Sequence, residues 1–442
     1  MAASFDWNTA IDTVEVTGDI LHCTSNTGAQ GHINVTNIIG VVPSTSLSGY
    51  QVLFLVTGEN VEELGYLENT AIPSLPSALS PYLVKLPDHL RLSEPVQVII
   101  STLSGTGSAQ TVFRDILEPF LSHLGVSYQA HETQSSQTIS KLSLSRFLER
   151  ACAGIPQTII LLSGDGGLVD ILDVFYQSNR PIQVPPRIAL IPCGTGNAMA
   201  SSIGLRSGPA SSLAALLRGE PSPVPIFAAT LSPGSQLVVD EGRQRQPLSP
   251  ESDVSHQTVY GAVVASWGLH AALVADSDTV EYRKFGSERF KMAAKELLYP
   301  SDGAEPHRFR GKITYLTVDG QKETIESDEH MYVLASLVPR LEKDFLISPE
   351  SEPLGEQMRF LRFGPLPAEE AMRLMTLAYQ GGQHVQEAPV TYAAVEQVRI
   401  EFQEDLERWR RVCIDGKIVV VEKGGWLELR MEPRRLLQII KP

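Results

Sequence analysis

Over the first ninety or so residues, apolar and β-branched side chains fall in short runs cut by turn residues. Residues 13–17, 32–42 and 50–56 read as strands broken by Gly18, Pro43 and Gly58, and 20–35 reads as a hairpin. Pro73, Pro76, Pro81 and Pro87 then mark a linker. From Val96 the pattern alternates. Apolar runs at 96–100, 126–131, 158–162 and 187–191 predict strands, each followed by a helical pattern. In the first of these, 109–124, Val112, Phe113, Ile116, Leu117 and Phe120 share one face. A second helix is expected over 139–152. Strands separated by helices imply a doubly wound α/β sheet with its ligand at the carboxyl ends of the strands.

After Leu205 the period changes. Residues 211–217 predict a short helix and 221–225 a connector; strands then dominate at 226–230, 236–239, 258–266, 312–317, 329–337, 357–363, 398–402, 411–414 and 418–421. The polar run 240–256 reads as a loop. A helix over 367–379 opens with Pro and two Glu. Three units are expected: a small β module with its linker (1–92), an α/β nucleotide-binding domain (93–222) and a mainly β, sandwich-like lipid-binding domain (223–442).

Composition narrows the class. The chain has 442 residues, 43% of them hydrophobic and 20% charged, which describes an ordinary globular protein with a sizeable core. A net charge of −15 argues against nonspecific nucleic-acid binding and against a global electrostatic grip on anionic membranes. Cys23, Cys152, Cys193 and Cys413 lie far apart without metal-ligand spacing and read as free thiols. No signal peptide opens the sequence, and the longest apolar stretch, 260–275, is too short to span a bilayer. A cytoplasmic protein is expected.

The chemistry concentrates in two glycine turns at strand ends: Ser163-Gly164-Asp165-Gly166-Gly167 and Gly194-Thr195-Gly196-Asn197. Glycine lets a phosphate oxygen approach main-chain N–H groups, and the helix that follows adds unsatisfied donors. Phosphate would repel Asp165, so its presence in such a turn points to a general base or a Mg²⁺ contact. Either turn alone could be no more than a tight connection; two of them one βαβ unit apart suggest a nucleotide site. The ten histidines show no metal-ligand pattern, and no metal-binding residues are assigned.

SGDGG followed by IPCGTGNAMA resembles the paired signature of the lipid kinase family that holds diacylglycerol kinases and sphingoid-base (sphingosine) kinases, nearest the sphingoid-base branch. That resemblance implies a nucleotide domain of lipid kinase or NAD kinase-like type, ATP with Mg²⁺, and a lipid substrate met at a peripheral membrane surface. A homodimer is allowed. It also implies a nucleotide loop after residue 100, where Ser101 stands in place of an Asn; Gly105 and Gly107 match, while Thr106 and Ser108 replace a basic residue. Thr133 falls where the family has a phosphate-touching Thr, and Asp170 occupies a Glu position on the first helix, where it could orient the loop or meet substrate.

The run from Tyr282 to Phe290 resembles a Tyr-Arg-x-x-Gly-x-x-Arg-Phe segment of sphingosine kinases, which assigns Arg283 and Arg289 to the ATP phosphates. Counting back from Tyr282 places Asp276 where the family carries the Asp that meets the sphingoid amino alcohol, with Asp278 as its rival. The residues themselves allow a blander reading in which these charges form a solvated helix face. Asp415-Gly416 resembles the family's closing turn and could reach nucleotide or metal, though Asp-Gly is also a common hairpin turn and Lys417 replaces a Glu. Asn197 is equally well a helix cap. The expected activity is ATP-dependent phosphorylation of the primary hydroxyl of a sphingoid long-chain base, with Asp165 as base. The alternatives are a diacylglycerol kinase and a catalytically weak lipid-binding relative.

Overall fold

The computed structural model describes residues 5–44, 49–56, 65–102, 104–105, 107–206, 208–248, 257–286 and 288–442. Thr106 and residues 249–256 of the 240–256 loop therefore lie outside the described residues, as does Ser287.

At the centre stands a six-stranded sheet in the order Glu220–Pro223, Gln438–Lys441, Arg187–Pro192, Thr158–Ser163, Val96–Ile100, Tyr128–Glu132. Val96–Ile100 and Thr158–Ser163 are buried along their whole length, which is why they read as unbroken apolar runs. Alternate residues still serve different faces. Ile99, Ile159, Leu161, Ile188 and Leu190 pack with Phe147, Leu172 and Phe175. Val98, Ile100, Ile160, Leu162 and Ile191 pack with Leu117, Phe120 and Leu213 on the other side. Because the first strand in sequence pairs in parallel with both the second and the third, the loops that follow Ile100 and Ser163 flank the point where strand order reverses.

The two long helices after the first and second strands each contain a single π turn, at Phe113–Leu117 and Ser143–Phe147. Two further departures share one cause. Glu220–Pro223, which overlaps the connector expected at 221–225, forms a strand, and Gln438–Lys441 lies between that strand and Arg187–Pro192. Each is recognisable only through its partner, which lies remote in sequence. The chain thus crosses back over the boundary expected at 223 in its last residues.

The β-rich part is one large curled sheet of 14 described strands, with Phe227, Trp267, Phe309, Phe360 and Phe402 in its core. It contains Gln244–Pro247, which lies inside the expected loop. The expected 258–266 strand is two strands, Gln257–Gly261 and Val264–Gly268, separated at Ala262-Val263.

The N-terminal module is a pair of three-stranded antiparallel sheets, Ile11–Thr17 with Ile20–Ser25 and Gln30–Asn34, and Ile38–Pro43 with Tyr50–Val56 and Tyr66–Ile72. A 3₁₀ turn at Val35–Asn37, begun by the Asn34 side chain accepting from the Thr36 amide, splits what reads as one strand. The module packs on the Pro209–Arg218 helix: Arg218 donates to the Ile39 carbonyl, and a Cβ at Gly40 would stand 2.9 Å from Leu217. All four cysteines are free thiols, and among the described residues no helix is long and apolar enough to cross a membrane.

Candidate active site

The three small-residue turns at the carboxyl end of the central sheet touch one another. A Cβ on Gly194 would fall 2.3 Å from the Gly164 Cα, and one on Gly105, whose φ is +56°, would fall 2.4 Å from the Cys193 carbonyl. At these positions glycine is required by backbone meeting backbone, before any ligand is considered. Gly166 is different: nothing lies within 4 Å of its Cβ position and it is exposed, so its surroundings are open to a ligand. The first turn is pinned by Ser104, whose hydroxyl accepts from the Gly164 amide at 3.0 Å. Thr133 fixes the same loop by accepting from the Thr102 amide and, through its carbonyl, from the Thr102 hydroxyl.

Asn197, at φ +52°, cross-links its own turn. Its Oδ1 accepts from the Gly194 amide at 2.9 Å and its Nδ2 donates to the Gly194 carbonyl at 2.7 Å. Asp165 takes the capping role: Oδ2 accepts from the Ala198 amide at 2.7 Å and Oδ1 from Met199 at 2.9 Å. The first turn therefore holds the second through a carboxylate. Burial raises the Asp165 carboxyl above its usual range, while the amides of Met199, Ala198 and Asp165 itself pull it down. Each oxygen keeps a second lone pair.

A continuous cavity of about 920 Å³ opens from these turns. Ser101, Gly105, Thr133, Ser163, Gly164, Asp165, Gly166, Gly167, Asp170, Gly194, Thr195 and Gly196 are among its lining residues, together with Arg283, Arg289 and Asp415. Gly107, Asn197 and Asp276 are not among the lining residues. Its apolar lining includes Leu273, Val274, Phe290, Phe345, Met372 and Met375.

Asp415 sits at φ +48° in the hairpin turn between Arg411–Ile414 and Lys417–Val420. Its carboxylate accepts from the amides of Ala262, Val263 and Val264 at 2.6–3.2 Å, which explains the break between the two strands there. Burial pushes the carboxyl up to about 7, against those amides and helped by the nearby Asp165 charge. Lys417 pairs with Asp173, and burial lowers its ammonium to about 8, opposed by Asp170. Asp170 is itself raised to about 6 by burial. Family likeness at the closing turn pointed to a departure at Lys417; its insertion between two aspartates of the Asp165–Gln177 helix has no local sequence signal.

The acidic pair separates. Asp276 lies away from the cavity with its oxygens held by Arg408 at 2.8 Å and Arg411 at 2.7 Å. Asp278 lines the cavity and accepts from Arg283 at 3.0 Å, with Arg289 at 3.6 Å. Six residues separate these arginines, which on one straight helix would set them on opposite flanks. The helix Val280–Arg283 instead ends, the chain turns at Gly286 (φ +54°), and Glu288–Leu298 begins, so both reach one carboxylate. Arg289 Nε is buried without a partner among the described residues, and burial lowers the group's affinity for its proton.

Sequence reasoning also missed the 339–346 segment, which covers the second glycine turn. The Leu341 carbonyl stands 3.1 Å from a Cβ position on Gly196, and Ser202 bonds both the amide and the carbonyl of Arg340. Glu342 from this segment lines the cavity, and burial raises its carboxyl to about 7.

Comparison with known proteins agrees with this geometry. Residues 95–229 match the diacylglycerol kinase catalytic domain family. The chain is 24% identical over 287 residues to human sphingosine kinase 2, covering 60% of this chain and 36% of that protein. It is 26% identical over 152 residues to sphingosine kinase B of Dictyostelium discoideum, covering 33% of this chain and 19% of that protein. It thus spans about a third or less of the length of these relatives. Among solved structures, one described as "a putative diacylglycerol kinase from Bacillus anthracis str. Sterne" shares the fold with a TM-score of 0.54 at 16% identity, over 79% of this chain and 97% of that one. Residues 95–229 thus match the diacylglycerol kinase catalytic domain family, and the chain is similar to sphingosine kinases over part of its length.

Proposed function

We propose that the protein is an ATP-dependent lipid kinase that phosphorylates the primary hydroxyl of a sphingoid long-chain base. The observation that carries this reading is the cavity of about 920 Å³ that three glycine turns and Asp165 share with the apolar residues Leu273, Val274, Phe345, Met372 and Met375. Asp165 accepts the proton of the primary hydroxyl. As that oxygen bonds to the γ-phosphorus, the bond to the β–γ bridging oxygen breaks and ADP leaves. Arg289, with its unpartnered Nε, and Arg283 neutralise the phosphate charge. Glycine-turn amides hold the remaining oxygens.

No group of three ligating side chains stands among the described residues, which suits an ion that takes one or two carboxylates and completes its shell with phosphate and water. Asp165, with its spare lone pairs, and Asp170, which has no hydrogen-bond partner among the described residues and faces the cavity, are the residues that would hold Mg²⁺. Bound there, the ion would supply charge neutralisation across the phosphates. Asp278, which lines the cavity and pairs there with Arg283 and Arg289, is the carboxylate we assign to the lipid amine in place of Asp276. The domain limits proposed are those of the sequence reading, with the C-terminal strand returned to the nucleotide sheet. The exposed Phe285, Met292 and Tyr299, set among Lys284, Lys291 and Lys295 beside the cavity, support peripheral membrane contact.

Transfer of labelled phosphate from ATP to a lipid panel tests the reading. Long-chain bases should be phosphorylated in preference to diacylglycerol; a preference for diacylglycerol would overturn it. The diacylglycerol kinase reading draws on the matched catalytic domain, but it leaves Asp278 without a cationic partner on the lipid. A protein whose melting temperature does not rise with Mg²⁺ and ATP would be a non-catalytic relative.

A further inference from the structure

A histidine stands in the wall of the cavity. His270 is 9% exposed and lines the cavity from the first turn of the Leu269–Asp276 helix. Its place is fixed by Gly268 at φ +83°, where a Cβ would stand 2.5 Å from the Met331 carbonyl, so no other residue fits that turn without strain. Upstream on the same strand, Val264 donates to Asp415; one helical turn downstream, Leu273 and Val274 belong to the apolar lining. His270 therefore lines the same cavity as Asp165, between a residue that holds Asp415 and residues of the apolar lining in chain order.

Its Nδ1 is bonded to the Ser266 hydroxyl at 2.7 Å, while Nε2 has no partner among the described residues. Burial lowers the imidazole to about 4, so the ring is neutral and retains both a donor and an acceptor nitrogen. The Tyr332 ring lies 5.9 Å from that of His270, and its hydroxyl is buried, again without a partner among the described residues. An imidazole nitrogen in a cavity wall with no protein partner among the described residues is open to a ligand. Saturated alkyl chain offers nothing to Nε2, whereas a hydroxyl can serve either tautomer because it both donates and accepts.

We propose that His270 is a specificity-determining residue that hydrogen-bonds a second oxygen on the lipid, a hydroxyl on the chain just beyond the carbon bearing the amine. Ser266 is its positioning residue. The inference rests on the sphingoid-base reading and adds to it a preference for hydroxylated bases. Hydroxyls at C3 and C4 share this chemistry, and the substrates below separate them.

The test compares kcat/KM for three amino alcohols of equal chain length: 2-aminooctadecan-1-ol, sphinganine with its C3 hydroxyl, and 4-hydroxysphinganine. In the wild type one added hydroxyl should raise kcat/KM at least about tenfold, since a site built to bond a hydroxyl rejects the analogue without it. In His270→Leu that ratio should shrink to below about threefold. Ser266→Ala keeps the imidazole but releases Nδ1 and should shrink the ratio in the same direction; it carries the comparison if His270→Leu does not fold. Equal kcat/KM for all three lipids in the wild type, or ratios unchanged in the variants, would overturn the proposal while leaving the sphingoid-base reading intact. A wild type that phosphorylates diacylglycerol and none of the amino alcohols would remove both.

Discussion

In the proposed reading Asp165 is both general base and helix cap, and replacing it with Asn separates the two roles. As general base it should contribute ~10²–10⁴ in turnover, which is about 2.7–5.4 kcal/mol of activation free energy. As cap it accepts the Ala198 amide through Oδ2 and the Met199 amide through Oδ1. Asn offers one acceptor oxygen and an NH₂ group, so one of these two amides loses its partner and faces a donor. An unsatisfied donor of this kind costs about 1–3 kcal/mol. The variant is therefore expected to lose turnover by two to four orders of magnitude and to be less stable in urea by about 1–3 kcal/mol, yet still to bind a non-transferable ATP analogue within about tenfold of wild type. Phosphate transfer, urea titration and analogue binding on one preparation give the three numbers. Turnover within about threefold of wild type would remove Asp165 from the chemistry. Turnover and analogue affinity falling in parallel would show that the cap, holding the second glycine turn, accounts for the whole effect.

Three further outcomes are expected. Asp278→Asn should abolish long-chain-base phosphorylation with little change in the KM for ATP, whereas Asp276→Asn, which only unpairs Arg408 and Arg411 outside the cavity, should keep it; the reverse pattern would return the amine to Asp276. Arg289→Ala should weaken ATP binding by about 1.5–3 kcal/mol, roughly 10- to 150-fold in KM, as measured by initial rates against ATP. Asp415 has a folded pKa raised to about 7 from an ordinary 3.8, so the folded state binds its proton more tightly and the group stabilises most below pH 4, losing that contribution as pH rises through 7. The gap in unfolding free energy between wild type and Asp415→Ala should accordingly widen when urea titrations are moved from pH 8 to pH 6; a gap that narrows would show the amides outweighing burial.

The central sheet was legible because its signals are local. Val96–Ile100 and Thr158–Ser163 are fully buried strands and read as apolar runs; the glycine turns follow them directly. What the turns do was less legible. Gly164 and Gly194 are glycines because their backbones meet each other, and Asp165 caps a helix that begins 33 residues later. The illegible parts depend on distant partners. The strand at 220–223 waits for one at 438–441, the 258–266 run breaks because Asp415 gathers three amides there, and Asp276 is drawn off by two arginines more than 130 residues away. Local patterns carry no trace of such pairings. The 339–346 segment, with its cavity-lining Glu342, shows no periodicity or turn motif that would have marked it.

The return of Gln438–Lys441 to the central sheet governs how the protein is made. During synthesis Arg187–Pro192 leaves the ribosome roughly 250 residues before the strand that covers its open side. At about 5–20 residues per second that interval lasts on the order of 10–50 s. Throughout it the nascent chain presents the naked edge of a parallel sheet, whose unpaired N–H and C=O groups can template pairing with another chain. Slow or stalled translation of the β-rich half lengthens that exposure, and holdase chaperones acting on nascent chains should bind this intermediate until the last strand docks.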